Sequence, residues 1–164
     1  MKILLRLAIF LIVAQLSAGA LAQQNTVEPA RKLQWQFSPY TRHFFPSEEH
    51  RNVVMFGLER EDSTGKLDGG TVFSNSFGQP SLYWYPWGQA YHDFWGVKSL
   101  SFKWTAGFLY GYKEPYANKV PLNFDGFSPG AIIAFAYEFK PGWSVQLDWL
   151  GTAGLMFQLN FPMQ

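Results

Sequence analysis

Segments of about ten residues in which apolar and polar side chains alternate recur along this chain. The clearest runs from Trp143 to Trp149: Trp143, Val145, Leu147 and Trp149 alternate with Ser144, Gln146 and Asp148. Successive side chains of a β-strand point to opposite faces, so this pattern predicts strands with one apolar and one polar face. Similar alternation covers 100–110 and 155–161. Such segments, separated by turn residues, are typical of transmembrane β-barrels.

Counting these segments predicts the number of strands. We place eight of them, at 33–44, 52–60, 69–77, 81–91, 98–110, 127–139, 143–150 and 153–161. An even number of antiparallel strands can close on itself, and eight make a small barrel whose interior side chains can fill. The predicted fold class is therefore all-β, an eight-stranded antiparallel transmembrane β-barrel.

The aromatic content favours a barrel in lipid over one in water. Phe, Tyr and Trp make up 19% of the chain, with 16 Phe, 8 Tyr and 7 Trp. A soluble β-sandwich or lipocalin-like barrel would alternate in the same way, but it would turn polar residues outward. Here, several strands carry large aromatic residues on one face, so we expect that face to meet lipid.

The N-terminus has the pattern of a secretory signal peptide. Lys2 and Arg6 flank the start of an apolar run, and Ala20-Leu21-Ala22 matches a cleavage site. We expect residues 1–22 to be removed and 23–164 to form one barrel domain in the bacterial outer membrane. The chain has no cysteine, and its 13 basic and 12 acidic residues do not suggest a nucleic-acid surface.

Three polar side chains are predicted to share one rim of the barrel. If both chain ends face the periplasm, His43 ends the first strand at the exterior, and Asn75 and Ser76 end the third strand there. A histidine beside a serine supports acyl transfer, because the imidazole can accept the hydroxyl proton. An asparagine can orient a neighbour or hold an oxyanion. His92 is predicted to lie at the opposite end.

The inward-facing residues fall into two predicted layers. The upper layer is apolar and includes Met55, Leu109, Ile132, Ala134 and Met156. Such a layer could be a pocket for a hydrocarbon chain or simply the packed core of a narrow barrel. In the lower layer, we expect Lys103 to lie between Glu59 and Glu138, since buried charges need partners.

Several short motifs occur in an order that resembles one enzyme family. They are His43 at the top of the first strand, Phe56-Gly57-Leu58 in the second, Phe73-Ser74-Asn75-Ser76 ending the third, Tyr83 to Gly88 in the fourth, and Phe102 to Gly107 in the fifth. Pro141-Gly142, Ser144 to Leu147 and Gly151-Thr152 continue the order. Together they resemble the lipid A palmitoyltransferase family of outer-membrane enzymes, in which the third strand ends F-x-D-S. This chain has Asn75 where that family has aspartate.

The resemblance implies transfer of a palmitoyl chain from a phospholipid donor to lipid A, by a monomer that needs no metal or other cofactor and binds no nucleic acid. It implies a catalytic set of His43, Asn75 and Ser76. The apolar upper layer would then hold the acyl chain, and Trp87 or Gly88 at its floor would set the accepted length.

Two other functions remain open from the sequence. A His–Ser–Asn set would also suit an outer-membrane lipid esterase or deacylase, and the barrel could instead be structural and non-catalytic. The strand phases also bear on the site. Alternation from Leu33 to Phe37 places His43 on the lipid face unless Pro39 resets it, and it places Ser74 and Ser76 inward with Phe73 and Phe77 outward.

Overall fold

The computed structural model of this protein describes residues 32–163. Eight strands follow one another: β1 (Lys32–His43), β2 (Met55–Glu61), β3 (Leu67–Ser74), β4 (Pro80–Tyr91), β5 (Leu100–Tyr110), β6 (Phe127–Lys140), β7 (Trp143–Trp149) and β8 (Gly154–Pro162). Short 3-10 helices occupy Phe94–Gly96 and Ala117–Lys119. The predicted signal peptide, 1–22, lies outside the described residues.

Each strand pairs antiparallel with the next, and β8 pairs with β1 to close the barrel. This confirms the predicted fold class of an eight-stranded antiparallel barrel. The largest differences from the predicted bounds are at β2, which begins at Met55 rather than 52, and at β3, which ends at Ser74 rather than 77. Asn75 and Ser76 therefore belong to the turn that follows β3.

Apolar side chains cover the outside of the barrel. Large apolar side chains that are more than a third exposed on the strands include Phe56, Val72, Trp84, Trp104, Phe108, Phe135, Val145 and Phe157. Neighbouring strands place aromatic rings side by side there, as in Trp35 on Phe56 and Trp84 on Phe108, at centroid distances of 5.1 and 5.9 Å. A monomer in water rarely exposes so continuous an apolar surface. Among the described residues, no helix is long and apolar enough to cross a bilayer.

A bulge in β1 changes which face of the barrel its side chains meet. Gln34, Gln36 and Ser38 are buried inside, and so is Thr41, three residues after Ser38. The pairing of β1 with β8 shifts register between Phe37 and Tyr40, which spans Pro39. Proline has no N–H to donate to the ladder, and one extra residue reverses the later side chains. His43 therefore points inward, so the alternative of a phase reset at Pro39 is confirmed.

The lower interior holds a cluster of buried polar side chains. The Lys103 ammonium donates to the Glu59 carboxylate and, at 3.0 Å, to Gln146 Oε1, which confirms the expected Glu59 partner. The prediction that Glu138 also pairs with Lys103 was wrong, because Glu138 lies at the rim and pairs with Lys32 at 3.4 Å. Asp148, 4% exposed, lies in the same interior and accepts a hydrogen bond from Gln146 at 2.6 Å.

The connections divide the barrel into two ends. We call the end where β1 begins and β8 ends the terminal mouth; it carries the turns 62–66, 92–99 and 141–142. We call the other end the loop mouth; it carries 44–54, 75–79, 111–126 and 150–153. The tight turns at 62–66 and 141–142 are therefore at one end of the barrel, and the longest of these loops, 111–126, is at the other.

Candidate active site

The turn that follows β3 is built by the side chain of Asn75. Asn75 is fully buried, and its Oδ1 accepts hydrogen bonds from the backbone N–H groups of Phe77 and Gln79, both at 3.0 Å. Its Nδ2 donates to Gln79 Oε1 at 3.3 Å. Asparagine favours such turns because its short amide can replace backbone partners. Its hydrogen bonds run to its own turn, so Asn75 positions Ser76 and does not contact His43.

We expect Asn75→Ala to destabilise the barrel, because it leaves two part-buried N–H groups without their acceptor. An orphaned buried donor costs about 1–3 kcal/mol. Asn75→Asp keeps both acceptor bonds and should lose much less. Urea unfolding of the protein in lipid vesicles, followed by tryptophan fluorescence, measures both free energies of unfolding. Equal losses in the two variants would contradict this account of the turn.

Ser76 and His43 meet at the loop mouth. His43 Nε2 lies 2.7 Å from Ser76 Oγ, which is hydrogen-bond distance. His43 reaches this point because the bulge in β1 turns it inward, and Ser76 because the Asn75 turn projects it over the barrel. The two residues are far apart in sequence, and the β1 to β3 order brings them together across β2. A serine hydroxyl bonded to an imidazole is the arrangement that activates serine as a nucleophile.

A second imidazole packs against His43. The rings of His43 and His50 stack with centroids 4.3 Å apart, and the edge of His50 meets the Phe77 ring at 5.4 Å. The loop 44–54 that carries His50 is held to the turn by the Arg51 N–H, which donates to the Ser76 carbonyl at 2.7 Å. His43 is thus oriented by a neighbouring ring, and among the described residues no carboxylate hydrogen-bonds it.

The long loop 111–126 closes the other side of Ser76. Burial raises the pKa of Tyr112 above its ordinary value, while a hydrogen bond with the Ser76 side chain acts in the opposite direction. The phenol therefore stays protonated at neutral pH. Gln79 fastens this loop to the turn, since its Nε2 donates to the Lys113 carbonyl at 3.1 Å and its Oε1 accepts from the Lys113 N–H at 3.2 Å. Ser76 therefore lies between the loops 44–54 and 111–126, which both contact its turn.

An apolar cavity of about 200 Å³ opens beneath the Ser76–His43 pair. Its lining includes Thr41, Val53, Met55, Phe73, Tyr83, Leu109, Val120, Ile132, Leu150 and Met156. Of the predicted pocket residues, Met55, Leu109, Ile132 and Met156 line it. Ala134 lies lower and lines the small cavity beside Lys103. A site for a hydrocarbon chain would be expected to look like this, apolar and enclosed by strands.

The two floor candidates do not line this cavity. Trp87 is 56% exposed on the outside of the barrel, because β4 has a register shift between Trp84 and Trp87. Gly88 lies lower, where a side chain would meet Leu67 and Thr105. The floor is Tyr83, 5% exposed, whose hydroxyl bonds Thr105 Oγ1 at 3.1 Å and whose ring stacks on Tyr85 at 5.3 Å. The Tyr85 hydroxyl in turn donates to Glu59. The stacked rings of Tyr83 and Tyr85 therefore lie between the apolar cavity and the buried polar cluster around Lys103.

Sequence reasoning reversed the phase of two residues and missed two others. Phe73 lines the cavity and Ser74 is exposed, the opposite of the expected faces, because β3 ends before Asn75 and its alternation does not extend to Ser76. Gln79 and Tyr112 were not predicted to serve the site. They come from two separate loops, and alternation carries no information about residues outside strands.

Comparison with models of protein families gave no match for this sequence, and comparison with curated proteins gave none either. The structure itself shows a closed eight-stranded barrel with a Ser–His pair at one mouth, over an apolar cavity. The resemblance to lipid A palmitoyltransferases stays a prediction.

Proposed function

We propose that this protein is an outer-membrane acyltransferase that moves a palmitoyl chain from a phospholipid to lipid A. The observation that supports it is the 2.7 Å contact between His43 and Ser76 above an apolar cavity inside the barrel. The apolar outer surface supports a place in a membrane. A lipid ester could lay its chain in the cavity and leave its carbonyl at the Ser76 hydroxyl.

The chemistry needs only groups of this site and two lipids. Ser76 Oγ attacks the ester carbonyl carbon of the phospholipid while His43 Nε2 takes its proton. The ester C–O bond breaks, and the imidazolium returns the proton to the departing lysophospholipid alkoxide. A lipid A hydroxyl then attacks the acyl-serine and loses its proton to His43. The bond from the acyl carbon to Ser76 Oγ breaks, and His43 returns the proton to Oγ. Atoms and charge balance over the two steps.

The acceptor lipid would approach a rim that carries both signs of charge. Its exposed cations are Arg42, Arg51, Lys113 and Lys119, and its exposed carboxylates are Glu48, Glu49, Glu114 and Asp125. Lys113 and Lys119 lie over the rings of Tyr110 and Phe77, at 4.9 and 5.5 Å. Cations pair well with phosphate groups, so the four basic side chains could bind the phosphates of lipid A.

The Thr41 hydroxyl is the best-placed donor for the developing oxyanion. Its Oγ1 is buried, has no hydrogen-bond partner in the described chain, and faces the cavity beside His43. We expect Thr41→Val to lower the turnover rate by about 10²-fold, as loss of one oxyanion donor does elsewhere. Thr41→Ser keeps the hydroxyl and should stay near the wild-type rate. Transfer of a radiolabelled acyl chain in mixed micelles measures both rates, and equal rates in the two variants would exclude this role.

The accepted chain length should depend on Ile132, which lines the cavity at the level of its Tyr83 floor. Ile132→Phe adds volume there, so we expect the variant to prefer a shorter acyl chain than the wild type does. Ile133→Phe is the matched control, because Ile133 is 38% exposed on the outer face. Mass spectrometry of the product reads the chain length. If Ile133→Phe also changes the length of the transferred acyl chain, the effect comes from a general distortion of the barrel and not from the cavity.

The proposed function is tested by mass spectrometry of lipid A from cells with and without the protein. A gain of one palmitoyl chain supports the transferase. Loss of an acyl chain instead identifies a lipid A deacylase, for which the same Ser–His pair would pass the acyl group to water. If lipid A is unchanged while the protein is folded in the membrane, the protein is a structural barrel and not an enzyme that acts on lipid A.

A further inference from the structure

A serine, a histidine and a glutamate meet at the terminal mouth, on the opposite side of the barrel from Ser76. His92 Nδ1 lies 2.9 Å from Ser101 Oγ, and His92 Nε2 lies 2.6 Å from Glu61 Oε1. The imidazole thus bridges a hydroxyl and a carboxylate through its two ring nitrogens. The three partners are those of a serine hydrolase triad with the ring nitrogens exchanged, since in that triad Nε2 faces the serine and Nδ1 faces the carboxylate.

Three different elements supply these residues. Glu61 ends β2 and its side chain is 11% exposed, so the carboxylate is held in the wall of the barrel. Ser101 is the second residue of β5 and lines a cavity of this mouth. His92 lies in the turn 92–99, and its side chain is 54% exposed. The buried acid, the bridging base and the accessible hydroxyl are placed as acyl chemistry requires.

The turn that carries His92 is strained. Asp93, Trp95 and Ser99 all have positive φ, at 50, 56 and 69°. Such backbone is unfavourable for residues other than glycine and persists only where the surroundings enforce it. The Asp93 carboxylate accepts from the Ser99 N–H at 3.1 Å, which closes the turn. The ring of His92 is therefore presented to Ser101 by a turn that the local sequence would not favour.

We propose that Ser101, His92 and Glu61 form a second active site, which hydrolyses short-chain carboxylic esters of water-soluble alcohols. The cavity around them measures about 200 Å³. Its lining is mostly polar and charged, and includes Gln34, Asp93, Lys98, Ser99, Lys103 and Ser144. A fatty chain would be poorly accommodated by such walls, whereas an acetyl group on a hydrophilic alcohol would leave few apolar atoms to bury.

The reaction uses water as the second substrate. Ser101 Oγ attacks the carbonyl carbon, and its proton passes to His92 Nδ1 while the Nε2–H stays bonded to Glu61. The Lys98 ammonium lines the same cavity and can stabilise the oxyanion. The alcohol leaves with the proton from His92. Water then attacks the acyl-serine, loses a proton to His92, and releases the acid. Glu61 acts through the imidazole and is a positioning residue.

The experiment uses the full-length protein folded in detergent micelles. Incubation with a fluorophosphonate, followed by peptide mass spectrometry, locates any activated serine, and p-nitrophenyl acetate measures turnover. We expect the label on Ser101 and a rate of acetate release well above that of buffer. In a Ser76→Ala background, Ser101→Ala should reduce the remaining rate to the buffer level, and His92→Ala should prevent labelling of Ser101.

Matched variants separate this site from the rest of the barrel. Ser63→Ala removes an exposed hydroxyl from the turn 62–66 of the same mouth, outside the cavity, and it should keep the wild-type rate. Glu61→Gln should lower kcat with little change in KM, because it weakens the base and not the binding of the ester. Circular dichroism verifies that each variant is folded.

The proposal is independent of the acyltransferase proposed for the loop mouth. A Ser76→Ala variant should still release acetate faster than buffer and should still carry the label on Ser101. Absence of label from Ser101 in the folded wild type would overturn the proposal. So would hydrolysis that survives Ser101→Ala but is lost in Ser76→Ala.

Discussion

Ser76→Ala should abolish acyl transfer while leaving the barrel folded. The substitution removes the hydroxyl that His43 Nε2 contacts at 2.7 Å. Ser76 is only partly buried, and alanine can occupy its turn position, so the free energy of unfolding should change little. The expected fall in turnover is at least about 10³-fold, because loss of the nucleophile in a serine hydrolase costs more than this. Radiolabelled acyl transfer in mixed micelles measures the rate.

The strongest form of this test uses three variants. If Ser76 and His43 act as one unit, His43→Ala and the double variant should be about as inactive as Ser76→Ala, since such losses are not additive. Ser74→Ala is the matched control, because Ser74 is exposed two residues away in the same segment. A Ser76→Ala protein that transfers acyl chains at the control rate would show that the Ser–His pair is not the catalytic group.

Lys103→Met should produce the largest loss of stability. Lys103 is 5% exposed and donates to Glu59, which is 2% exposed. Removing the cation leaves the Glu59 carboxylate buried without its charge partner and leaves Asp148 without a nearby cation in the same cavity. Breaking a buried pair from one side costs about 3–5 kcal/mol. Urea unfolding in lipid vesicles measures the free energy.

Replacing both partners separates the effect of the pair from that of a single buried charge. Lys103→Met combined with Glu59→Gln removes the unpaired charge, so it should recover much of the lost stability. Lys66→Met, in the exposed turn 62–66, controls for the loss of a lysine as such. A Lys103→Met protein as stable as this control would mean that water reaches Glu59 and replaces the ammonium.

The alternation of side chains was sufficient to predict the fold. Period-2 patterns such as Trp143 to Trp149 identify strands, and eight antiparallel strands that each pair with the next can close a small barrel. Turn chemistry placed most boundaries well, as at Pro141-Gly142. The pattern also predicted Glu59 as a partner of Lys103, because two buried opposite charges in one layer need each other.

Alternation failed where the backbone departs from regular strand geometry. It could not specify whether Pro39 resets the phase of β1, and it carried the phase of β3 past Ser74 into a turn. The same limit affected the floor of the cavity, since the register shift of β4 puts Trp87 outside. One irregular residue reverses every later side chain, so an error at a bulge changes the predicted face of all residues beyond it.

The sequence by itself determined an antiparallel barrel with an apolar exterior and a polar lower interior, because these features repeat at short range along each strand. Only the tertiary structure decided which polar residues meet. The pairing of His43 with Ser76, and of His92 with both Ser101 and Glu61, joins strand ends and turns that are distant in the chain. Their contacts depend on barrel closure, bulges and loop conformation, and none of these has a signature in local periodicity.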